Sequence, residues 1–201
     1  MPGSPASRHD TLQSMSAVLH HPMTLTQFLA WEECQELRHE FDGFQPLAMT
    51  GGTAAHDRIT FNLRKVLDAR LAGNPCQPWG PNMKIIADGR ARYPDAVIVC
   101  APVDPEATVL DAPVIVFKVL SNGTAGTDLI DKNREYRATP SIQRYVILHQ
   151  TRAAAIVFVR RGEDWLSEIV TGDGAVLSLP EIGIALPLAD LYEAVFPGAS
   201  P

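Results

Sequence analysis

The sequence predicts one mixed domain of helices and strands, α/β in class with α+β character. Three observations predict it. Helical and extended patterns follow one another without internal repeats, in the order helix, hairpin, helix, strands, helix, strands. Ala54–Leu71 carries Ile59, Leu63, Val66 and Leu67 at helical spacing, with Arg58, Arg64, Lys65 and Arg70 mostly elsewhere. Val114–Leu120 is apolar at almost every position, as a strand covered on both faces reads. A chain of 201 residues, 46% hydrophobic and 20% charged, has the length and composition of one domain with tails.

The elements follow in order. Residues 1–22 hold Pro2, Gly3, Ser4, Pro5 and Ser7 without a sustained apolar core, so they are read as a flexible leader rather than a secretory signal. The domain is expected over 23–197, with a tail at 198–201. Thr24-Leu25-Thr26-Gln27 fits a capping box, which starts a helix expected to end near Glu36–His39. Asp42-Gly43 predicts a two-residue hairpin joining Arg38–Phe41 to Phe44–Met49. Thr50-Gly51-Gly52-Thr53 breaks the chain before the helix Ala54–Leu71, and Gly73-Asn74-Pro75 ends that helix. Met83–Ala87, Asp95–Cys100 and Val114–Leu120 are expected strands. A helix over Gly126–Thr139 is stopped by Pro140. Gln143–His149, Ala153–Arg160, Trp165–Thr171 and Ala175–Leu179 are further strands extending the sheet, and Leu188–Phe196 reads as a short closing helix.

Charge and cysteine content narrow the partners. A net charge of −6 argues against a protein that coats nucleic acid by bulk charge, but leaves a local basic cleft open. Cys34, Cys76 and Cys100 match no zinc spacing and cannot all pair, so a reduced, cytoplasmic protein is expected, with Cys100 a small buried apolar group. No apolar run approaches the roughly 20 residues of a membrane-spanning helix, so no membrane partner is expected. Phe44, Trp79 and Trp165 read as core or interface aromatics rather than base-stacking platforms.

Five features could carry chemistry. Tyr93-Pro94-Asp95 puts a carboxylate at the mouth of an apolar strand, where it needs a cation or a donor. Alone, it also reads as a turn aspartate. Lys118 sits inside an apolar strand, where an unpaired ammonium is costly, so it must pair, shift its pKa or reach water. Asp128, Lys132 and Tyr136 form one helical stripe, which alone reads as a solvated ion pair. Glu40, before the Asp42-Gly43 turn, alone reads as a surface glutamate. His56 near a helix start could contact a phosphate or orient a ligand, or simply be a hydrogen-bonded helix-start residue.

Together these features resemble a family. The order Trp31, Arg38-His39-Glu40, Asp42-Gly43, Gly51-Gly52, His56, Tyr93-Pro94-Asp95, Val119-Leu120-Ser121, Asp128, Lys132, Tyr136, Arg144-Tyr145-Val146 looks like the bacterial putative restriction endonuclease domain family. This former domain of unknown function belongs to the PD-(D/E)xK nuclease superfamily. The resemblance covers about Met23 to Phe196. It implies a restriction-endonuclease-like fold, a mixed central sheet flanked by helices with an N-terminal helix and hairpin. It also implies a homodimer, DNA as substrate and Mg²⁺ or Mn²⁺ as cofactor. By resemblance, Asp95 and Glu40 are the metal ligands and Lys132 a catalytic lysine. His56, Asp128 and Tyr136 support them, and Arg58, Arg90, Arg92 and Arg134, with Lys132, line a basic groove.

The chain departs from the family pattern at one decisive position. Lys118 stands where the family has a metal-binding glutamate, and Asn122 where it usually has proline. A carboxylate-held metal can activate water and relieve charge on a phosphodiester. An ammonium beside the metal position repels the ion. Two outcomes are therefore open: Lys118 pairs with Asp95 as an internal cation and the metal is lost, or Lys118 takes a shifted catalytic role over a weakened site. The rival functions are a Mg²⁺-dependent endonuclease, a catalytically inactive module of the same fold for binding or assembly, and a generic α/β ligand-binding domain with an apolar pocket away from Asp95.

Overall fold

The computed structural model describes residues 22–49, 51–121 and 126–196. The leader expected over 1–22 lies outside them except for Pro22, and the tail 198–201 lies outside them entirely. The N-terminal helix, α1 (Leu25–Glu32), starts at the expected capping box, with Gln27 N–H donating to Thr24 and Thr24 N–H to Gln27. It stops earlier than its pattern suggests. The Glu32 carboxylate is buried and accepts from His39 N, which turns the chain back at residues 33–38. The hairpin β1 (His39–Phe41) and β2 (Pro46–Ala48) is present. Its loop is longer than two residues, because Asp42 Oδ1 accepts from both Phe44 N at 2.8 Å and Gln45 N at 2.7 Å.

The expected long helix is α2 (Ala54–Arg70), capped by Thr53. The remaining strands are β3 (Gln77–Trp79), β4 (Lys84–Ala87), β5 (Arg90–Arg92), β6 (Ala96–Val99), β7 (Val109–Leu110), β8 (Pro113–Val119), β9 (Arg144–Leu148), β10 (Ala154–Arg161), β11 (Asp164–Thr171), β12 (Val176–Leu179) and β13 (Ile184–Pro187). A π-helical turn, Thr127–Asp131, runs into α3 (Lys132–Ala138), within the expected Gly126–Thr139 span. The closing helix shrinks to α4 (Leu188–Leu191).

Six strands form a mixed central sheet in the order β11-β10-β9-β8-β6-β3, parallel between β8 and β9 and otherwise antiparallel. Five more form β2-β1-β5-β4-β7. One face of the central sheet packs Ile98, Ile115 and Phe117 against Ile59, Leu63 and Leu67 of α2. The other packs Val97, Val116 and Tyr145 against Ile85, Leu110 and Tyr136. This double cover explains the unbroken apolar run of β8.

Two expectations are corrected. Ala175–Leu179 does not extend the sheet. Gly172 and Gly174, at φ 104° and 74°, turn the chain away, and β12 pairs with β13 alone. Nor are all the thiols free: Cys76 and Cys100 form a disulfide, and Cys34 remains an exposed free cysteine. The antiparallel register Gln77↔Val99 brings Cys76 and Cys100 opposite each other.

Candidate functional site

The register Ala96↔Phe117 makes Asp95 and Lys118 cross-strand neighbours at the ends of β6 and β8. The Asp95 amide donates to Phe117 O, which fixes the backbone there. Asp95 is 4% exposed. Its Oδ2 accepts from Val119 N at 2.6 Å, and the Lys118 ammonium lies 3.2 Å from Oδ1 and 3.1 Å from Oδ2. His56 Nε2, from the first turn of α2, is 3.4 Å from Oδ1. Burial alone would raise the Asp95 carboxyl; the His56 hydrogen bond, the Lys118 charge and the Val119 amide outweigh it and hold the carboxyl below its ordinary range. Burial alone would lower Lys118; the charge of Asp95, then that of Asp128, raises it instead. Lys118 is therefore a charged, internally paired cation.

A second group of charges lies alongside. Glu40 on β1 contacts the Lys132 ammonium at 3.0 Å through Oε1 and 2.9 Å through Oε2. It also accepts from Arg92 at 3.1 Å and from Tyr93 N at 3.2 Å. Burial would raise its carboxyl, but the charges of Lys132 and Arg92 hold it low. Lys132 reaches Asp128 Oδ1 at 3.1 Å across the junction of the π-helical turn and α3. Arg92 holds Glu135 through two bonds of 2.7 Å, and Arg90 adds a contact at 3.3 Å. The result is an alternating chain, Asp128–Lys132–Glu40–Arg92–Glu135, beside the Asp95–Lys118 pair.

The structure thus brings together Asp95, Lys118, His56, Glu40, Lys132 and Asp128. Tyr136 serves packing instead: it is 2% exposed and meets Tyr145 edge to face at 4.7 Å. The expected basic groove does not form from its five residues. Arg92 is 2% exposed and Lys132 4%, both inside the charge chain, because three buried carboxylates, Glu40, Asp128 and Glu135, need them. Arg90 is tied to Asp88, Asp42 O and Glu135. Arg58 lies outward on α2 against Phe61, and Arg134 stands exposed on α3. Glu135 was not anticipated. The signal for it lay in Arg90 and Arg92, alternate residues of one strand face that require a shared carboxylate.

The expected ligand pair does not suit magnesium. That ion takes oxygen ligands at about 2.0–2.1 Å. Here an ammonium touches both oxygens of Asp95, and another touches both of Glu40. Among the described residues, no three His, Cys, Asp or Glu side chains form a group that could hold a metal ion. An open cleft of about 700 Å³ away from the site lies beyond the end of α2 and is lined by Asp68, Asn74, Gln77 and Trp79 among others.

Comparisons with known proteins agree with this architecture. A family model described as "Uma2: Putative restriction endonuclease" matches residues 25–189. An uncharacterized protein of Synechocystis sp., slr1290, is 28% identical over 173 residues, covering 84% of this chain and 90% of that protein. A second, sll1609, is 26% identical over 159 residues, covering 76% of this chain and 90% of its own length. The crystal structure of a putative nuclease belonging to DUF820 from Anabaena variabilis is similar with a TM-score of 0.73 and 16% identity, covering 87% of this chain and all of that one.

Proposed function

The chain belongs to the Uma2 family of putative restriction endonucleases, and from that premise we propose that it is a DNA-directed nuclease-fold protein in which Lys118 serves as a built-in cation in place of a bound metal. The observation that carries the proposal is the Lys118 ammonium, within 3.2 Å of one Asp95 oxygen and 3.1 Å of the other. Phosphodiester hydrolysis in water at neutral pH calls for a strongly activated nucleophile and charge relief, which a divalent ion supplies. A lysine ammonium neutralises Asp95 and acidifies no water. Glu40 is likewise engaged by Lys132 and Arg92. The protein therefore engages DNA without metal-dependent cleavage, and the homodimer that the resemblance implies belongs to the same proposal.

The test combines binding and cleavage. Calorimetry with Mg²⁺ and Mn²⁺ should show no binding by the unmodified chain and measurable binding by Lys118→Glu. Plasmid DNA should stay un-nicked with either ion. Nicking by the unmodified chain that vanishes in Asp95→Ala would overturn the reading. Sedimentation should give a dimer mass, and a monomer would remove that part.

A further inference from the structure

On the outer face of α3, turned away from Lys132 and Tyr136, cations and aromatic rings alternate. The Arg137 guanidinium stands 5.7 Å from the Phe158 ring centre and 5.9 Å from that of Trp165, and Arg160 stands 4.7 Å from the Trp165 ring. Beside them a cleft of about 400 Å³ is lined by Leu129, Ile130, Asn133, Arg134, Arg137 and Phe158. Ile130 is 68% exposed. The charges here are not cancelled as they are in the core. Arg137 is exposed and, among the described residues, has no carboxylate within ion-pair distance. Arg160 donates to the carbonyls of Arg137, Thr139 and Ile142, which leaves its charge in place. Arg134 meets Asp131 at 3.5 Å in an exposed pair, which solvent weakens. The exposed side of α2 also carries a ring between cations, Phe61 between Arg58 and Lys65, but Glu193 holds Lys65 at 2.9 Å.

We propose that this face of α3 and β10 binds a single nucleic-acid strand, with bases stacked on the exposed plane of Arg137, which Phe158, itself stacked on Tyr145 at 6.0 Å, supports from beneath, and the phosphates met by Arg134 and Arg137. Every base has a face to stack and every linkage a charge, so such a surface needs no sequence preference. It complements a polyanion although the whole chain carries −6. The inference rests on nucleic acid being the partner of the proposed function; it does not rest on the chemistry at Asp95.

The experiment is fluorescence anisotropy of a labelled single-stranded oligonucleotide across a salt series, with its duplex and polyglutamate as competitors. The unmodified chain should bind the single strand in preference to the duplex. Arg134→Gln combined with Arg137→Gln should weaken binding at least tenfold and flatten the salt slope by about 1.4, at roughly 0.7 per lost phosphate contact. Arg134→Gln alone, at a site 66% exposed on the side chain, should flatten it by about half as much without touching the fold. Phe158→Leu should weaken binding and leave the slope unchanged. No binding at low salt, an unchanged slope in Arg134→Gln, or equal displacement by polyglutamate would each overturn the inference. Metal-dependent nicking would refute the proposed function while leaving these binding results standing.

Discussion

Replacing Lys118 by methionine tests the internal cation most directly. The substitution keeps most of the stem's volume and removes the ammonium. Asp95 then remains 4% exposed with Val119 N–H and His56 as its partners, but without the cation that touched both oxygens. Removing one member of a buried ion pair costs about 3–5 kcal/mol. The two surviving contacts and the 13% exposure of the lysine side chain place this case at the low end, about 3 kcal/mol. For a domain of this size that is a fall of about 10 °C in Tm. Urea and thermal unfolding at neutral pH measure it. Asp95→Asn added to Lys118→Met removes the stranded charge, so the double variant should regain part of the loss. Added Mn²⁺ should raise the Tm of Lys118→Met and leave the unmodified chain unchanged. A single variant within about 0.5 kcal/mol of the unmodified chain, where unexceptional surface substitutions fall, would refute the reasoning. So would a double variant no more stable than the single one.

Three further outcomes are expected. Arg92→Met leaves Glu135 with only the 3.3 Å Arg90 contact and deprives Glu40 of one cation, so it should lower stability by about 3 kcal/mol in urea unfolding; an unchanged midpoint would show the charge chain to be incidental. Asp95 and Glu40 are both held below the ordinary carboxylate range, so their contribution is complete above the unfolded values near 4 and is lost as pH falls through the depressed folded values. Lys118 is raised, so its contribution is complete below about 10.4 and is lost only as pH rises through the folded value. Urea midpoints should thus fall on the acid side below about pH 4, and less steeply in Asp95→Asn. Finally, the Cys76–Cys100 bond leaves Cys34 as the free thiol, so titration in denaturant should find one thiol per chain and three after reduction.

The long elements were legible because their patterns repeat. The 17 residues of α2 hold a helical stripe over several turns, and β8 shows burial on both faces over seven residues. Strands as short as β3, β5, β7 and β13 show no period, and unlike β1 and β2, marked by Asp42-Gly43, or β4, β6 and β12, which lie within longer apolar runs, they carry no other signal. The end of α1 was misplaced for a different reason. The helical pattern continues past Glu32, and what stops it is a buried carboxylate tied to His39 N, Lys84 and Tyr93, contacts separated by up to 61 residues in sequence. The disulfide was equally hidden, since Cys76 and Cys100 meet through the β3–β6 register rather than through any spacing motif.

The site divides along the same line. Asp95, Glu40, Lys132 and Asp128 could be picked out by residue type and motif order, and Lys118 by its sign within an apolar run. The outcome at Lys118 depended on a register that puts it across from Asp95. The fate of the arginines depended on Glu135, which no motif singled out. Four carboxylates, Asp95, Glu40, Asp128 and Glu135, lie against Lys118, Lys132, Arg92 and Arg90. With each of these four buried carboxylates already covered by a side-chain cation, a divalent cation entering this group must displace one of those cations or leave excess positive charge in a poorly solvated interior. Removing the charge at Lys118 reverses that balance by one unit at the carboxylate it covered. A single side chain therefore decides whether this group of acids is a closed ion-pair network or a place where a metal could sit.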